Sequence, residues 1–408
     1  MKELKALRTG SKELIKEINR FKVLNIIRHQ QPISRSEISK QCELGISTLS
    51  YIMEELKSQN LIYEVGEATS TGGRKAKLLK FNEDHGYVVS IKIEEEQILI
   101  ALTNMNGDIL RKTYTPFEKK ASAQTIVSLI EQEVKRMFSE EAKDLSFLLG
   151  IGVLSSGIVN RNEGKIIRSS MLGWEDVAIT SMIKVYFPEV PVFVDNNING
   201  YALAELEKGR GQKDHDFLVV SIGAGLGLSV VMGRNIYYGA IGGAGEFGHT
   251  NLVMEGYPCH CGQKGCLEMY ASEFYFKHKL RELEDTKSDL LQRDYHFSKV
   301  ATEAEAGDEL SISLMKEMGT HLGYGLRNLI NTLNPEKIIM VGEGVKYKHL
   351  FEENVLEIAH DNFFEKVNIS TDIVFSHLKD DSWFTGGALL AINQLFQEPI
   401  YQQMKAGV

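Results

Sequence analysis

The sequence predicts a mixed α/β protein in two parts, a small head over residues 1–82 and a large body over residues 83–408. Apolar residues recur at helical spacing in the head, whereas runs of β-branched residues begin near residue 85. Charge divides at the same place. Residues 1–80 hold 15 Lys and Arg against 9 Asp and Glu, while the other 328 residues hold 31 against 46. These balances of +6 and −15 favour a head that meets a polyanion, although chance alone explains the split equally well.

Composition and the lack of export signals favour an intracellular protein. Of the 408 residues 43% are apolar and seven are proline, which is typical of a globular chain with more than one core. No apolar run approaches the roughly 18–20 residues of a membrane helix. The first residues lack the apolar stretch of a secretory signal, and four cysteines are too few for a disulfide scaffold. We therefore expect a cytoplasmic location.

The head begins with two predicted helices. The first, over residues 14–29, is indicated by apolar residues three and four apart: Leu14, Ile18, Phe21, Leu24 and Ile27. It ends before Pro32. Ser34 and Glu37 have the spacing of a capping box, which predicts a second, short helix that runs to Cys42. Gly45 then supplies a tight turn.

A third helix completes a helix-turn-helix. Its apolar residues point inward: Leu49, Ile52 and Leu56. Its polar residues remain mostly outward: Ser47, Thr48, Ser50 and Tyr51. Two short helices around a glycine-containing turn form a unit whose second helix can enter the DNA major groove.

Two strand-like runs, 61–65 and 76–81, flank a glycine-rich loop over residues 69–75 and predict a wing. Arg74 and Lys75 at its base are placed to contact phosphate or the minor groove. The head is thus predicted to be a winged helix-turn-helix that binds a double-stranded DNA operator, with protein contacts as the alternative. The expected DNA-binding residues are Ser34, Arg35, Ser47, Thr48, Ser50, Tyr51, Arg74 and Lys75.

The body is predicted to contain a duplicated α/β unit with a cleft between two lobes. The first copy comprises strands at 87–93, 98–102 and 109–115, a helix at 122–138 and a strand at 147–153. The second comprises strands at 217–222 and 227–232, a short strand near residue 236, a long helical region and a strand at 337–341. We place one lobe at residues 83–195 with the C-terminal helix, and the other at residues 196–380.

The most specific pattern in the chain is a cluster of cysteines after a histidine. Cys259, Cys261 and Cys266 fall within eight residues, and His249 precedes them. A Cys₃His set suits a closed, structural tetrahedral Zn²⁺ site, one per chain. His260 competes as a fourth ligand, but we expect the close Cys-x-Cys spacing to turn it outward. Buried or redox cysteines without metal are the alternative.

Residues 242–249, Gly-Gly-Ala-Gly-Glu-Phe-Gly-His, are followed by Cys-x-Cys-Gly-x-x-Gly-Cys-x-Glu. This segment resembles the signature of the ROK family of repressors, open reading frames and sugar kinases. The winged helix matches the family's repressor branch, which includes the xylose repressors. The resemblance implies a two-lobed, actin-like, RNase H-type fold with a sugar cleft, and a homodimer or tetramer.

The same resemblance implies a set of sugar-binding residues: Ser156, Gly157, Asn196, Asn197, Glu246, His249 and Glu268. A carboxylate suits a polyol because it accepts hydrogen bonds from two adjacent hydroxyls. His249 would belong to both the zinc site and the pocket, so metal loss should disorder the pocket. For Glu246 and Glu268 the alternative is a helix cap or a surface charge.

Two departures from the family's sugar kinases predict a protein without catalytic activity. The kinases resemble Asp-x-Gly-Gly-Thr in the first hairpin, whereas residues 90–96 have no glycine and end in Glu94, Glu95 and Glu96, which would repel a triphosphate. Asn197 stands at the position of the family's catalytic Asp, and an amide cannot act as a general base. Asp195 should point elsewhere.

Glycine pairs elsewhere in the body are weaker signals. Residues 221–227 keep a glycine-rich turn between strands, for which a plain tight turn is the simpler interpretation. Gly386 and Gly387, before an apolar helix, are interpreted in the same way.

The sequence therefore predicts a sugar-responsive repressor of carbohydrate-utilisation genes, with xylose favoured by resemblance. A sugar kinase fused to a DNA-binding head is the main alternative. A constitutive repressor with a vestigial pocket is a third possibility.

Overall fold

The computed structural model describes residues 11–67, 77–284, 295–379 and 381–397. The predicted wing cations Arg74 and Lys75 lie outside these residues. Among the helices described, none combines the length and the apolar character that a membrane crossing requires.

The head is a winged helix-turn-helix. Its helices are α1 (Lys12–Gln30), α2 (Arg35–Cys42) and α3 (Ile46–Ser58), and its strands are β1 (Ile33–Ser34), β2 (Ile62–Glu67) and β3 (Lys77–Phe81). The three strands form an antiparallel sheet in the order β1-β3-β2. Ser34 and Glu37 form the predicted capping box at the start of α2, and Gly45 precedes α3.

The first half of the body is built on a five-stranded sheet. Its strands are β4 (Tyr87–Ile93), β5 (Gln97–Asn104), β6 (Ile109–Pro116), β7 (Leu148–Ser155) and β11 (Val192–Asn196), with α4 (Ala123–Glu140) and α5 (Ile179–Lys184) between them. The order is β11-β7-β4-β5-β6. A small antiparallel sheet inserted after β7 was not predicted, and it comprises β8 (Ile158–Asn160), β9 (Lys165–Ser169) and β10 (Trp174–Val177).

The second half repeats this plan. Its sheet contains β12 (Phe217–Ile222), β13 (Leu226–Met232), β14 (Asn235–Ile236), β15 (Lys337–Val341) and β16 (Asp372–Phe375). Its helices are α6 (Asn197–Lys208), α7 (Glu273–Glu284), α8 (Phe297–Glu305), α9 (Glu309–Leu333) and α10 (Glu352–His360). The chain's last described helix is α11 (Ser382–Leu395).

The two large sheets have the same topology, which confirms the predicted duplicated α/β architecture. In each, three strands form an antiparallel meander and two further strands join in parallel: β7 and β11 in the first sheet, β15 and β16 in the second. Strands β11 and β16 were not predicted. They have five and four residues and carry weak local patterns.

Gly386 and Gly387 lie inside α11, so the prediction that they form a turn before an apolar helix was wrong. They allow backbones to touch. A Cβ atom on Gly386 would lie 1.7 Å from the carbonyl oxygen of Gly200 in α6, and one on Gly387 would lie 2.2 Å from Ser90 Oγ in β4. Helices α6 and α11 therefore cross without intervening side chains, and α11 lies directly on the first sheet.

The head packs on the far ends of these two helices. Asn25 Nδ2 donates to the Phe396 carbonyl oxygen (3.0 Å), and Arg28 Nη2 donates to Asn393 Oδ1 (2.8 Å), both at the end of α11. His29 Nδ1 lies 3.6 Å from Glu207 Oε2 near the end of α6. Buried residues of the head, α6 and α11 form one continuous apolar core.

Candidate functional site: a metal cluster and its neighbouring carboxylates

The predicted ligands of the metal cluster lie together. His249 ends a short 3-10 turn, and the cysteines follow on a loop closed by pairing of Pro258 with Lys264. The four ligand atoms all lie within 4.8 Å of one another. The Cys259 Sγ–His249 Nδ1 distance is 3.6 Å, and Cys261 Sγ lies 3.7 Å from Cys266 Sγ. Three sulfur donors and one imidazole nitrogen make a candidate metal-binding cluster.

Glycine allows the loop to bring these thiols together. Gly265 has a φ of +71°, and a Cβ atom there would lie 1.7 Å from the Val253 carbonyl oxygen. Only glycine can hold this conformation without displacing the neighbouring backbone.

Burial gives two of the thiols raised pKa values in the metal-free chain. It raises the pKa of Cys259 to about 12, and it also raises the pKa of Cys266. Burial acts on Cys261 as well, but hydrogen bonds from the Gln263 backbone and from the other two thiols lower the pKa of Cys261. A metal that binds thiolates must therefore displace protons from this cluster.

The His260 side chain is 40% exposed and contacts the carboxylate of Glu268 beside the metal loop. Its Nε2 atom lies 2.7 Å from Glu268 Oε2, because the buried carboxylate attracts the imidazole. This hydrogen bond raises the pKa of His260. The His260 ring also contacts His249 edge to face, at a centroid distance of 5.2 Å. The metal loop and the predicted sugar residue Glu268 are thus joined directly.

The structure brings Glu246, His249 and Glu268 together. His249 presents Nδ1 to Cys259 and Nε2 to Glu246, whose Oε2 lies 3.9 Å away. Burial raises the pKa of Glu246, and the charge of Glu268 adds to this effect. Glu246 and Glu268 thus lie on adjacent turns and place two strong hydrogen-bond acceptors side by side.

The other predicted sugar residues lie around the start of α6. Asn196 caps this helix through the Ile198 N–H, and its Nδ2 donates to the Gly157 carbonyl oxygen (2.7 Å). Ser156 Oγ lies 2.8 Å from Ser169 Oγ. Asn197 Oδ1 is buried without a hydrogen-bond partner among the described residues. An amide oxygen in this position can accept a hydrogen bond from a ligand hydroxyl.

The group that contains Glu246 and the group at the start of α6 meet through a backbone contact. A Cβ atom on Gly242 would lie 2.2 Å from the Val159 carbonyl oxygen in β8. The segment that carries Glu246 and His249 is thereby held against the small sheet, whose first strand directly follows Ser156 and Gly157.

Sequence reasoning missed a buried polar cluster around Asp195. This carboxylate is 1% exposed, and it pairs with Arg161 Nε at 3.0 Å. Tyr238 Oη donates to it (3.2 Å), as does Asn199 Nδ2 (2.7 Å). Burial raises the pKa of Asp195, while the Arg161 guanidinium opposes that rise. Only the Asn199 partner, four residues along the same segment, was visible as a local pattern.

The acids at 94–96 are less repulsive than the sequence alone indicated. Glu94 lies 2.7 Å from Lys92 Nζ, and Glu95 lies 2.8 Å from Lys119 Nζ. Two of the three carboxylates are therefore paired with a cation, which weakens the argument that their charge alone would exclude a triphosphate.

On the head, the exposed start of α3 presents Ser47, Thr48 and Tyr51 to solvent, and Ser50 is half-buried. The Tyr51 hydroxyl accepts a hydrogen bond from Lys16 Nζ of α1 (2.9 Å). Arg35 lies between Glu54 and Glu64, at 3.6 and 3.5 Å. Ser34 is 4% exposed and its hydroxyl is used in the capping box, so the structure places it apart from this surface.

Comparison with known proteins covers both parts of the chain. Residues 88–394 match the model of the ROK family, and residues 16–63 match that of a winged helix-turn-helix DNA-binding domain. The xylose repressor of Caldicellulosiruptor bescii is 29% identical to this chain. The match covers 96% of this chain and 100% of the repressor. The xylose repressor of Bacillus spizizenii is 31% identical over 80% of this chain and 82% of its own.

The crystal structure of a ROK family transcriptional regulator, a homolog of the Escherichia coli MLC protein, superimposes with a TM-score of 0.81 at 25% identity. The superposition covers 94% of this chain and 97% of the regulator's chain. The fold, the cysteine loop and the match over more than half of the sequence agree: the chain belongs to the ROK family.

Proposed function

We propose that this protein is a sugar-responsive, DNA-binding transcriptional repressor of carbohydrate-utilisation genes. The observation that carries the proposal is the match to a xylose repressor over 96% of the chain, which includes both the winged helix and the ROK body. The relatives' names make xylose the first effector to test.

The pocket that we assign to the sugar lies between the two groups described above. Glu246 and Glu268 would accept hydrogen bonds from adjacent sugar hydroxyls, and Asn197 Oδ1 would accept another. Ser156, Gly157 and Asn196 would form the opposite rim. One Glu268 oxygen already accepts the Leu226 N–H (3.2 Å) and the other meets His260, so this carboxylate is held in place before sugar arrives.

We assign the cluster of His249, Cys259, Cys261 and Cys266 to one structural Zn²⁺ per chain. Four protein ligands leave no open coordination position for chemistry. The zinc would stabilise the loop, and through His249 and His260 the loop would hold Glu246 and Glu268 in position.

Zinc affinity should increase with pH. The pKa values of Cys259 and Cys266 lie above neutrality in the metal-free chain, so their protons oppose binding, and raising the pH removes that competition. For each proton released, affinity should rise up to about tenfold per pH unit. Competition titrations with a chromophoric chelator at pH 6, 7 and 8 would measure this slope. A flat profile would show that the thiolates are formed before the metal binds.

We propose a homodimer that presents two winged helices to a palindromic operator.

Helix α6 begins at the pocket with Asn197 and ends beside the head, where Glu207 meets His29. Its 12 residues span about 18 Å. Sugar binding would close the lobes and turn α6 against α11 at the Gly200–Gly386 contact. Since the head touches the ends of both helices, its orientation would change and operator affinity would fall.

A sugar kinase with a DNA-binding head is the second candidate, favoured by the family's kinase members and by the glycine turn at 223–225. We expect calorimetry to detect binding of xylose, and we expect a coupled assay with ATP to detect no phosphorylated product. The physical reason is that the Asn197 amide cannot take a proton from the sugar hydroxyl. ATP-dependent turnover that Asn197→Ala abolishes would instead establish a kinase.

A further inference from the structure

A glycine turn and a neighbouring carboxylate meet at the carboxyl edge of the second sheet. Strands β12 and β15 are parallel neighbours, paired from Phe217–Lys337 to Ser221–Val341. Their chains therefore leave the sheet side by side, β12 into the turn at residues 223–225 and β15 into residues 342–344. This edge of an α/β sheet is where ligands are commonly bound.

The carboxylate of Glu343 is seated in that turn. Its Oε1 atom accepts the backbone N–H of Ala224 at 2.6 Å. Gly223 leaves the room for it, since a Cβ atom there would lie 2.2 Å from Glu343 Cδ and Oε1. Among the described residues no Lys, Arg or His lies within ion-pair distance of Glu343. A backbone N–H is thus the partner that holds this charge.

The same turn holds a second carboxylate at its other end. The Leu226 N–H donates to Glu268 Oε1 at 3.2 Å, and a Cβ atom on Gly225 would lie 3.0 Å from that oxygen. Backbone N–H groups at both ends of the turn therefore point at anions. Successive N–H groups in a turn form concavities that bind anions, phosphate among them.

We propose that residues 223–225 form an anion-binding turn whose resident ligand is the Glu343 carboxylate, and that Glu343 keeps phosphate groups out of it. Being part of the chain, the carboxylate is always close to its site, which gives it an advantage over a free anion. Ala224 and Glu343 are both exposed, so a phosphate group can reach the turn once the side chain is removed. The test of this inference requires neither sugar nor zinc.

The test is a titration of the full chain with inorganic phosphate, followed by calorimetry and by ³¹P line broadening. Glu343→Ala should bind phosphate at least about tenfold more tightly than the wild type, the gain expected for one charge-assisted hydrogen bond. Glu343→Gln keeps an oxygen that can accept the Ala224 N–H, so it should behave like the wild type. Glu353→Ala, which removes an exposed carboxylate from α10, is the matched control.

Equal phosphate affinity in Glu343→Ala and the wild type would overturn the proposal. So would equal gains in the Ala and Gln variants, because simple charge repulsion would then explain both. Glu343→Ser serves as a second opening variant if the Ala variant does not fold by circular dichroism. A parallel titration with ATP separates the sources: tighter binding than inorganic phosphate would identify a nucleotide's phosphate as the better occupant, and similar binding a free phosphate.

Discussion

Replacing Cys266 with alanine should remove the zinc and weaken sugar binding. Cys266 is 1% exposed and lies two residues before Glu268, so its loss opens the metal site and loosens the turn that carries the carboxylate. Replacing a residue that orients a metal ligand typically lowers metal affinity about 10–100-fold, and loss of a ligand itself should lower metal affinity at least as much. Zinc content measured with a chromophoric chelator and sugar affinity measured by calorimetry should both fall.

The matched control is Cys42→Ala. Cys42 is buried in the core of the head, 3% exposed, and is not among the cluster's ligands. This variant should keep both its zinc and its affinity for sugar. If Cys266→Ala loses zinc but binds sugar as tightly as the wild type, the metal loop does not support the pocket.

Replacing Arg28 with alanine should uncouple the head from the body. The Arg28 side chain bonds to Asn393, and its guanidinium lies 4.9 Å from the centre of the Phe396 ring. A hydrogen bond of a charged group contributes about 1.5–3 kcal/mol, and here it joins the head to α11. We expect the ratio of operator dissociation constants with and without sugar to move towards one, while sugar affinity changes little.

Arg20→Ala provides the control for the Arg28 variant. Arg20 also lies on α1, but the contacts described for it, with Gln59 and Glu55, are within the head. It should leave the sugar response intact. Fluorescence anisotropy of a labelled operator measures both variants. A full sugar response in Arg28→Ala would show that the signal does not pass through this contact.

Local patterns predicted the parts of the fold that local physics decides. The Ser34–Glu37 capping box, the apolar stripe of α3 and the apolar runs of β4 and β12 each lie in a short stretch of sequence, and each was found. The cysteine spacing likewise predicted a cluster, because its ligands lie on one short loop.

The features that local patterns did not predict depend on contacts between residues far apart in the sequence. Asp195 meets Arg161 and Tyr238 only after β8, β11 and the segment after β14 come together. Gly386 was mistaken for a turn residue because glycine serves equally for turns and for close helix crossings. The spacing of His260 from the cysteines likewise gave no sign of its contact with Glu268, eight residues on.

Occupancy of the sugar pocket should change the affinity of the head for DNA. The most direct measurement is operator affinity by anisotropy at fixed salt, with and without saturating xylose. Xylose should weaken operator binding and, by linkage, operator DNA should weaken xylose binding by the same factor. Operator affinity that stays the same while calorimetry shows the pocket filled would contradict this expectation.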